Sequence, residues 1–364
     1  MSSESPMALI GIGTAGCAMA HGVCRAFGSG IRCLLADTDA ATGDSGEPFV
    51  LLGGDRLSGR GAGGDIVAGR LAAEGSIKAI DEYIEGLRLA VIVTALGGGT
   101  GGGATLEAAK HLGDLGIPSI VFATTPFTFE GDDRQRNARG MMTMIEDAAN
   151  ATFFLPLDKL VGDTDNMAVA MRRAIDVVAG GVTLFWRLVE KPGYIRLDTE
   201  RLRHMLSVAG RGRFATVTTQ GHNRAEAAVE KILKSDMLAL SSGPVTATLC
   251  GVLAGNDLLL SEVGTIADGV RSAFGGHSFD LATVNDEATF SGRISVVTML
   301  FEGGSRQDTE ARPGSVMSGR RPKKGALSVG PTGRGRFKNA EPTIWHDEDL
   351  DVPTFIRKSL SLDF

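Results

Sequence analysis

The sequence predicts an α/β protein: a parallel-sheet domain, a long central helix, and a smaller α/β C-terminal domain with a mixed sheet. Three observations carry this. Short, nearly continuous apolar runs alternate with helical patterns through the first half of the chain, as in a parallel sheet covered on both faces. Residues 166–190 then carry one apolar stripe at spacings of three and four, the signature of a helix with one face on a core. Finally, glycine is in excess, 50 of 364 residues, or about 14% against an average of ~7%, and it clusters just after the apolar runs.

In chain order, strands are expected over 8–10, 33–36, 49–52, 90–96, 119–124 and 152–155, with helices over 14–28, 62–87, 101–115 and 133–149. Met167, Met171, Ala174, Val178, Val182 and Phe185 form the central stripe, and Pro192-Gly193 stops that helix. Helices over 199–208 and 224–233 follow, then strands over 244–252, 256–261, 280–285 and 293–301. From 305 to 348 the periodicity disappears into Gly, Pro, Ser and basic residues such as Arg320, Arg321, Lys323 and Lys324, which reads as a flexible linker. Residues 349–364 become amphipathic again. The domain plan is therefore 1–165, the parallel-sheet domain; 166–190, the central helix; 191–304, a C-terminal domain; 305–348, a basic linker; and 349–364, a terminal peptide.

Composition narrows the function. The net charge of −6 argues against a nucleic-acid binder. Cys17, Cys24, Cys33 and Cys250 include no CxxC pair, and the six histidines have no ligand spacing. Neither a zinc site nor a disulfide framework is expected, which suits a reducing cytosol. Residues 1–7 lack a basic, apolar leader, and no apolar run reaches the ~18 residues that a membrane span needs.

Three glycine clusters carry the chemistry. Gly11-Ile12-Gly13-Thr14-Ala15-Gly16 follows the first strand and opens a helix, with Asp37 at the end of the second strand. That is either a dinucleotide-binding, Rossmann-like phosphate turn or a plain tight turn. Gly59-Arg60-Gly61-Ala62-Gly63-Gly64-Asp65 reads as a surface loop or a second phosphate loop. Gly97, Gly98, Gly99, Thr100, Gly101, Gly102 and Gly103 stand between a strand and a helix. So many glycines imply backbone N–H groups converging on phosphate at a helix N-terminus, with packing no reason for them. No Gly-Lys-Ser/Thr occurs, so this is not a Walker A loop.

The third cluster, GGGTGGG, resembles the GGGTGTG signature of the tubulin/FtsZ family, with one Thr-to-Gly change at Gly102. Ala36-Asp37-Thr38-Asp39, Gly61-Ala62-Gly63-Gly64 and Pro126-Phe127-Thr128-Phe129-Glu130-Gly131 are similar to further family loops. Asp351-Val352-Pro353-Thr354-Phe355-Ile356-Arg357-Lys358 resembles the family's C-terminal peptide. The resemblance implies a Rossmann-like GTP-binding domain, GTP/GDP and Mg²⁺ as cofactors, and head-to-tail homopolymers at the cytoplasmic division site. It also implies division or membrane-anchor partners on residues 351–358. Gly13, Thr14, Ala15, Gly16, Cys17, Ala62, Gly63, Gly64 and residues 97–103 would then cradle phosphates. Asp39 would lie near phosphate and Mg²⁺, Glu130 and Arg134 at ribose and phosphate, and Asp176 at guanine N1 and N2. No resident protein metal site is implied.

The departures matter as much. Ala18, Leu157 and Met171 stand where the family has two asparagines and a phenylalanine at the base. In the loop after the central helix, Asp198 keeps one acid of the family's N-x-D-x-x-D, but Arg196 replaces the Asn and Arg201 the second acid. In the family this loop completes hydrolysis in the next subunit's pocket, and the resemblance implies the same role here. Arg cannot accept a proton, so either Glu200 substitutes or Arg201 clamps the triphosphate and turnover is slow. The catalytic candidates are thus Asp198, Glu200 and Arg201. Two other functions compete: a nucleotide-binding scaffold without efficient turnover, and an NAD-dependent oxidoreductase built on the first glycine turn and Asp37.

Overall fold

The computed structural model describes residues 7–303 apart from 29, 162–165, 192, 240–242 and 277, together with 344–345 and 348–349. The chain divides into two units, Met1–Arg312 and Pro313–Phe364. In the second, the described residues form a two-residue antiparallel ladder, Ile344–Trp345 with Glu348–Asp349. The rest of the linker and the terminal peptide at 351–358 lie outside the described residues.

The first unit is built on one ten-stranded sheet. Its strands are β1 (Met7–Ile12), β2 (Arg32–Asp37), β3 (Phe49–Leu51), β4 (Leu89–Ala95), β5 (Ser119–Thr125), β6 (Ala151–Pro156), β7 (Ala209–Gln220), β8 (Val245–Ala254), β9 (Ser278–Asn285) and β10 (Arg293–Gly303). The main helices are α1 (Gly13–Phe27), α2 (Ile66–Ser76), α3 (Gly99–Asp114), α4 (Asp132–Ala148), α5 (Met167–Glu190), α6 (Thr199–Val208), α7 (Arg224–Leu233) and α8 (Leu260–Phe274). The spatial order is β3-β2-β1-β4-β5-β6-β7-β10-β8-β9. Strands β1 to β6 pair in parallel, as the buried apolar runs require. β10 runs antiparallel to β7 and β8, and β8 is parallel to β9.

Three differences from the sequence reading have physical reasons. The second sheet is continuous with the first, joined where Thr152 pairs with Arg211 and Phe153 with Gly212. The apolar run at 256–261 is not a strand: it leads into α8, with Leu259 and Leu260 exposed by 60% and 89%. The expected helix over 62–87 breaks into α2, a 3₁₀ turn at Ile77–Ile80 and a short helix at Asp81–Ile84. It starts only after Asp65, whose carboxylate caps the N–H groups of Val67 and Ala68.

Alternation along each strand divides the core. Leu9, Val91 and Val93 pack with α1 and α5 on one face, whereas Ala8, Ile10 and Ile92 pack with α2, α3 and α4 on the other. Phe185 and Trp186 of α5 are fully buried, each contributing roughly 1.5–3 kcal/mol. Phe122 stacks on Phe153 at 5.2 Å and meets Phe214 edge-on at 4.9 Å, sealing the seam between half-sheets. The buried Arg187 pairs with Asp286 at 3.0 Å and lies over the Phe27 ring, tying α5 to both halves. Hydrogen bonding from Thr289 and the Arg187 charge hold the Asp286 carboxyl below its ordinary range.

Candidate nucleotide site

Two helix N-termini meet at the carboxyl edge of the sheet. β1 and β4 are neighbours with Ile12 opposite Thr94, so α1 and α3 start side by side. A Cβ on Gly13 would lie 3.2 Å from the Gly101 nitrogen. The Thr94 hydroxyl sits 3.1 Å from the carbonyls of both Ile12 and Gly101, pinning the two starts together. Unpaired N–H groups and aligned peptide dipoles make such an edge attractive to phosphate.

The glycines of 97–103 divide between two tasks. A Cβ on Gly99, Gly101 or Gly103 would come within 2.5, 2.0 or 2.5 Å of a backbone oxygen, those of Asp65, Ala95 and Ile66. On Gly102 it would come within 2.7 Å of Met141 Cγ. Close packing therefore requires these four, contrary to the expectation that packing had no part. Gly97 adopts φ +99°, which a side chain rarely tolerates. Gly98, the N-cap of α3, has open space where a Cβ would be and is the freest for an approaching ligand.

The neighbouring loops are tied to this pair. Asp37 is fully buried; its carboxylate accepts from the Thr14 hydroxyl at 2.9 Å, the Thr42 hydroxyl at 2.8 Å and the Thr38 N–H at 2.7 Å. It positions loops and has no lone pair facing solvent for a ribose. Thr38 and Thr100 share a 2.6 Å hydrogen bond between their hydroxyls. Asp39 is half-buried and accepts from the Ala41 N–H, and its backbone bridges Arg60. Gly63 and Gly64 have φ +58° and +84° with open space beside them. Asn137 donates to the carbonyls of Gly64 and Gly97 at 3.3 and 3.4 Å, joining the second and third loops. Nothing in the sequence singles out this lone Asn on a helix. Thr14 is exposed and Ala15 lines the cleft, but Gly16 packs on Val93 and the Cys17 thiol is buried. That thiol bonds to the Gly11 carbonyl, and burial with the nearby Asp37 pushes it up to about 12. Any contribution of Cys17 to the cradle comes from its backbone.

Beside the helix starts is a cleft of about 100 Å³ with two chemical ends. Glu130 and Arg134, paired at 2.5 Å, form its polar end, with Glu130 also accepting from the Phe127 N–H. Met19, Leu157, Met171, Ala174 and Ile175 form its apolar end. Asp176, expected at the base, does not line this cleft. It is exposed beside Arg172, Arg173 and Val177, because one residue turns a helix by about 100°. Ile175, its neighbour, lines the cleft instead.

The candidate acids lie elsewhere. From Met171 to Glu190 helix α5 rises roughly 29 Å at ~1.5 Å per residue, and Asp198 follows beyond its far end. Asp198 accepts from the Glu200 N–H and so caps α6. Glu200 is exposed. Arg201 Nε donates to Asp280 Oδ1 at 2.8 Å. These groups do not meet the cleft of their own chain.

Residues 7–165 match the model of the Tubulin/FtsZ family, GTPase domain. The chain is 30% identical over 279 residues to the cell division protein FtsZ of Pseudomonas putida, covering 74% of this chain and 70% of that one. The chain belongs to the tubulin/FtsZ family. It carries that family's guanine-nucleotide-binding GTPase domain, a tubulin-like cytoskeletal fold. A solved structure of an FtsZ mutant from M. jannaschii superposes with TM-score 0.77 at 24% identity, covering 82% of this chain and 92% of that one. A GTPγS-bound protofilament of CetZ2 from Haloferax volcanii gives TM-score 0.70 at 22% identity, covering 82% and 93%. Among the described residues, no helix is long and apolar enough to cross a membrane.

Proposed function

We propose that this tubulin/FtsZ-family chain binds GTP at the α1–α3 edge, assembles head to tail into division-site filaments, and hydrolyses GTP slowly between subunits. One observation carries the reading: the cleft and the loop holding Asp198, Glu200 and Arg201 lie at opposite ends of α5. Groups so far apart serve one reaction only if a second subunit brings its loop to the first one's nucleotide. The protofilament of the CetZ2 relative supports such stacking.

The residues present fit the phosphate part of GTP. The N–H groups at the starts of α1 and α3, with Gly98, Gly63 and Gly64, would hold the phosphates. Asp39 would hold Mg²⁺, which neutralises phosphate charge when bound. Glu130 and Arg134 would orient the ribose. The fit at the base is poorer. The apolar end of the cleft offers Leu157, Met171 and Ile175, and no carboxylate or amide to read guanine N1 and N2. Lost polar contacts of ~1 kcal/mol each would weaken guanine selectivity.

Hydrolysis requires the neighbouring subunit to hold an attacking water. Asp198 and Glu200 supply carboxylates that can accept its proton, whereas the Arg201 guanidinium cannot. Slow turnover is the expected result, with Arg201 holding phosphate charge in place. The scaffold reading differs only in turnover and is favoured by the Arg201–Asp280 pair, which keeps a cation in the loop. The oxidoreductase reading loses its ribose acceptor, since Asp37 is fully engaged within the fold. The peptide at 351–358 would dock on division or membrane-anchor partners, with Phe355 and Ile356 as its apolar anchors.

The test is sedimentation with GTP, GDP, NAD or no nucleotide, with phosphate release followed in parallel. Pelleting with GTP alone supports the polymer reading. Pelleting that ignores nucleotide, or NAD-dependent behaviour, overturns it.

A further inference from the structure

Away from the nucleotide cleft, three elements bring metal-ligating groups together on one side of the sheet. Cys24 lies on α1, Cys33 near the start of β2, and Glu47 in the loop before β3. Both cysteines are buried, and the two sulfurs and a Glu47 oxygen all lie within 4.8 Å of one another. A fourth donor stands beside them. His21, one helical turn before Cys24 and so on the same face, has its Nδ1 4.0 Å from Glu47 Oε1. That nitrogen is shielded from solvent and has no hydrogen-bond partner among the described residues. Two thiols packed in a core need no explanation, because free cysteine behaves as a small apolar residue. A carboxylate beside the sulfurs, with a shielded and unpartnered imidazole nitrogen 4.0 Å from it, does, because buried polar atoms are normally paired.

We propose that His21, Cys24, Cys33 and Glu47 form a four-coordinate site for Zn²⁺. Two thiolates and one imidazole are a donor set that favours zinc over the hard cations Mg²⁺ and Ca²⁺, which take oxygen ligands. Tetrahedral zinc, with bonds of about 2.0–2.3 Å, would draw Cys24, Cys33 and Glu47 inward by an ångström or so, and His21 would turn in from its place beside Glu47. Zinc binding displaces the thiol protons to solvent and supplies the compensating charge. No CxxC spacing announces the site, because its ligands come from a helix, a strand and a loop.

The role is structural. His21 lies about 10 Å along α1 from Thr14, and Cys33 sits near the end of β2 opposite Asp37. The ion would staple α1 to β2 and to the loop that delivers β3, the edge strand of the sheet. It would take no part in nucleotide chemistry, so its test does not depend on the proposed function.

The experiment uses the full chain, prepared reduced and metal-free, titrated with Co²⁺ as a coloured probe and then with Zn²⁺. One equivalent of cobalt should give intense tetrahedral ligand-field bands and a thiolate-to-cobalt charge-transfer band, both lost on adding zinc. Cys24→Ser and Cys33→Ser should abolish the charge-transfer band and weaken cobalt binding by at least about 100-fold. His21→Ala should leave the band but lower affinity. Should the cysteine variants misfold, release of about two protons per zinc by the wild type provides a second readout. A folded wild type without the charge-transfer band, or an unchanged spectrum in the doubly substituted C24S/C33S chain, would overturn the proposal.

Discussion

Arg201 reaches across to Asp280: its Nε donates to Oδ1 at 2.8 Å, and the Asp280 side chain is 11% exposed against 60% for Arg201. The basic residue in the first turn of α6 is therefore fixed by a strand of the C-terminal half. Its side chain stays largely exposed, and under the proposed head-to-tail assembly it would meet a neighbouring subunit's triphosphate.

Replacing that cation with an acid should raise turnover. Arg201→Asp alone would set two carboxylates together, so it is paired with Asp280→Asn. Phosphate release per subunit should rise about 100-fold in the double variant, the low end of the range for a positioned general base. It should also rise with protein concentration, since the acid acts in trans. An unchanged rate with intact assembly would show that the slow step lies elsewhere.

Ile175 lines the apolar end of the cleft, where the proposed function puts the base. Ile175→Asp would place a carboxylate there that accepts from guanine N1–H and N2–H, which adenine lacks. The ratio of GTP to ATP affinity, from competition against a fluorescent nucleotide, should increase about tenfold or more. A change at the neighbouring position, Asp176→Ala, should leave the ratio unaltered, because that side chain does not line the cleft.

The two tasks of the glycine loop separate by mutation. Gly101→Ala would force a Cβ to 2.0 Å from the Ala95 oxygen and should destabilise the fold by roughly 3 kcal/mol or more. Gly98→Ala meets no atom, so it should unfold like the wild type while binding GTP more weakly. Denaturant melts and nucleotide titrations on the two proteins test the division, which fails if both lose the same property.

Acid should loosen the C-terminal half. Hydrogen bonds from Arg224 lower the Glu262 carboxyl below its ordinary value, and Thr289 and Arg187 do the same for Asp286. A depressed carboxylate contributes stability above its unfolded pKa, near ~4, and that contribution is lost as pH falls through the folded value. Glu146 opposes this, its pKa being raised by burial, so its cost is relieved in acid. Thermal midpoints should drop below about pH 4, and Arg224→Ala should flatten that drop. An unaltered pH profile in the variant would exclude the Glu262 pair as its source.

Much of the fold is legible in the sequence because buried parallel strands and glycine turns leave local signals. β1, β4 and α5 differ from their expected bounds by only a residue or two. The misses share a cause. The run at 256–261 is apolar, yet Leu259 and Leu260 are exposed at a helix start, and hydropathy alone cannot see which side faces solvent. β7 escapes a sequence reading, since its Ala-Gly-Arg-Gly-Arg opening reads as a turn. At the site, the three glycine loops that meet at the sheet edge follow from glycine order. Asp176 falls outside the cleft because one residue along a helix changes the face, and Asn137 and the Cys24–Cys33 pair meet their partners only through tertiary packing.

The two-pair seam between β6 and β7 also has a dynamic meaning. Among the described residues, Thr152–Arg211 and Phe153–Gly212 are all the ladder that links the half-sheets, so backbone hydrogen bonding transmits little cooperativity across it. Side chains do that instead: the Phe122–Phe153–Phe214 cluster and the Arg187–Asp286 clasp. The halves can thus breathe as separate cooperative units under strain while the aromatic cluster holds. In hydrogen exchange, the amides of Arg211 and Gly212 would open well before those at the centres of β4 and β10.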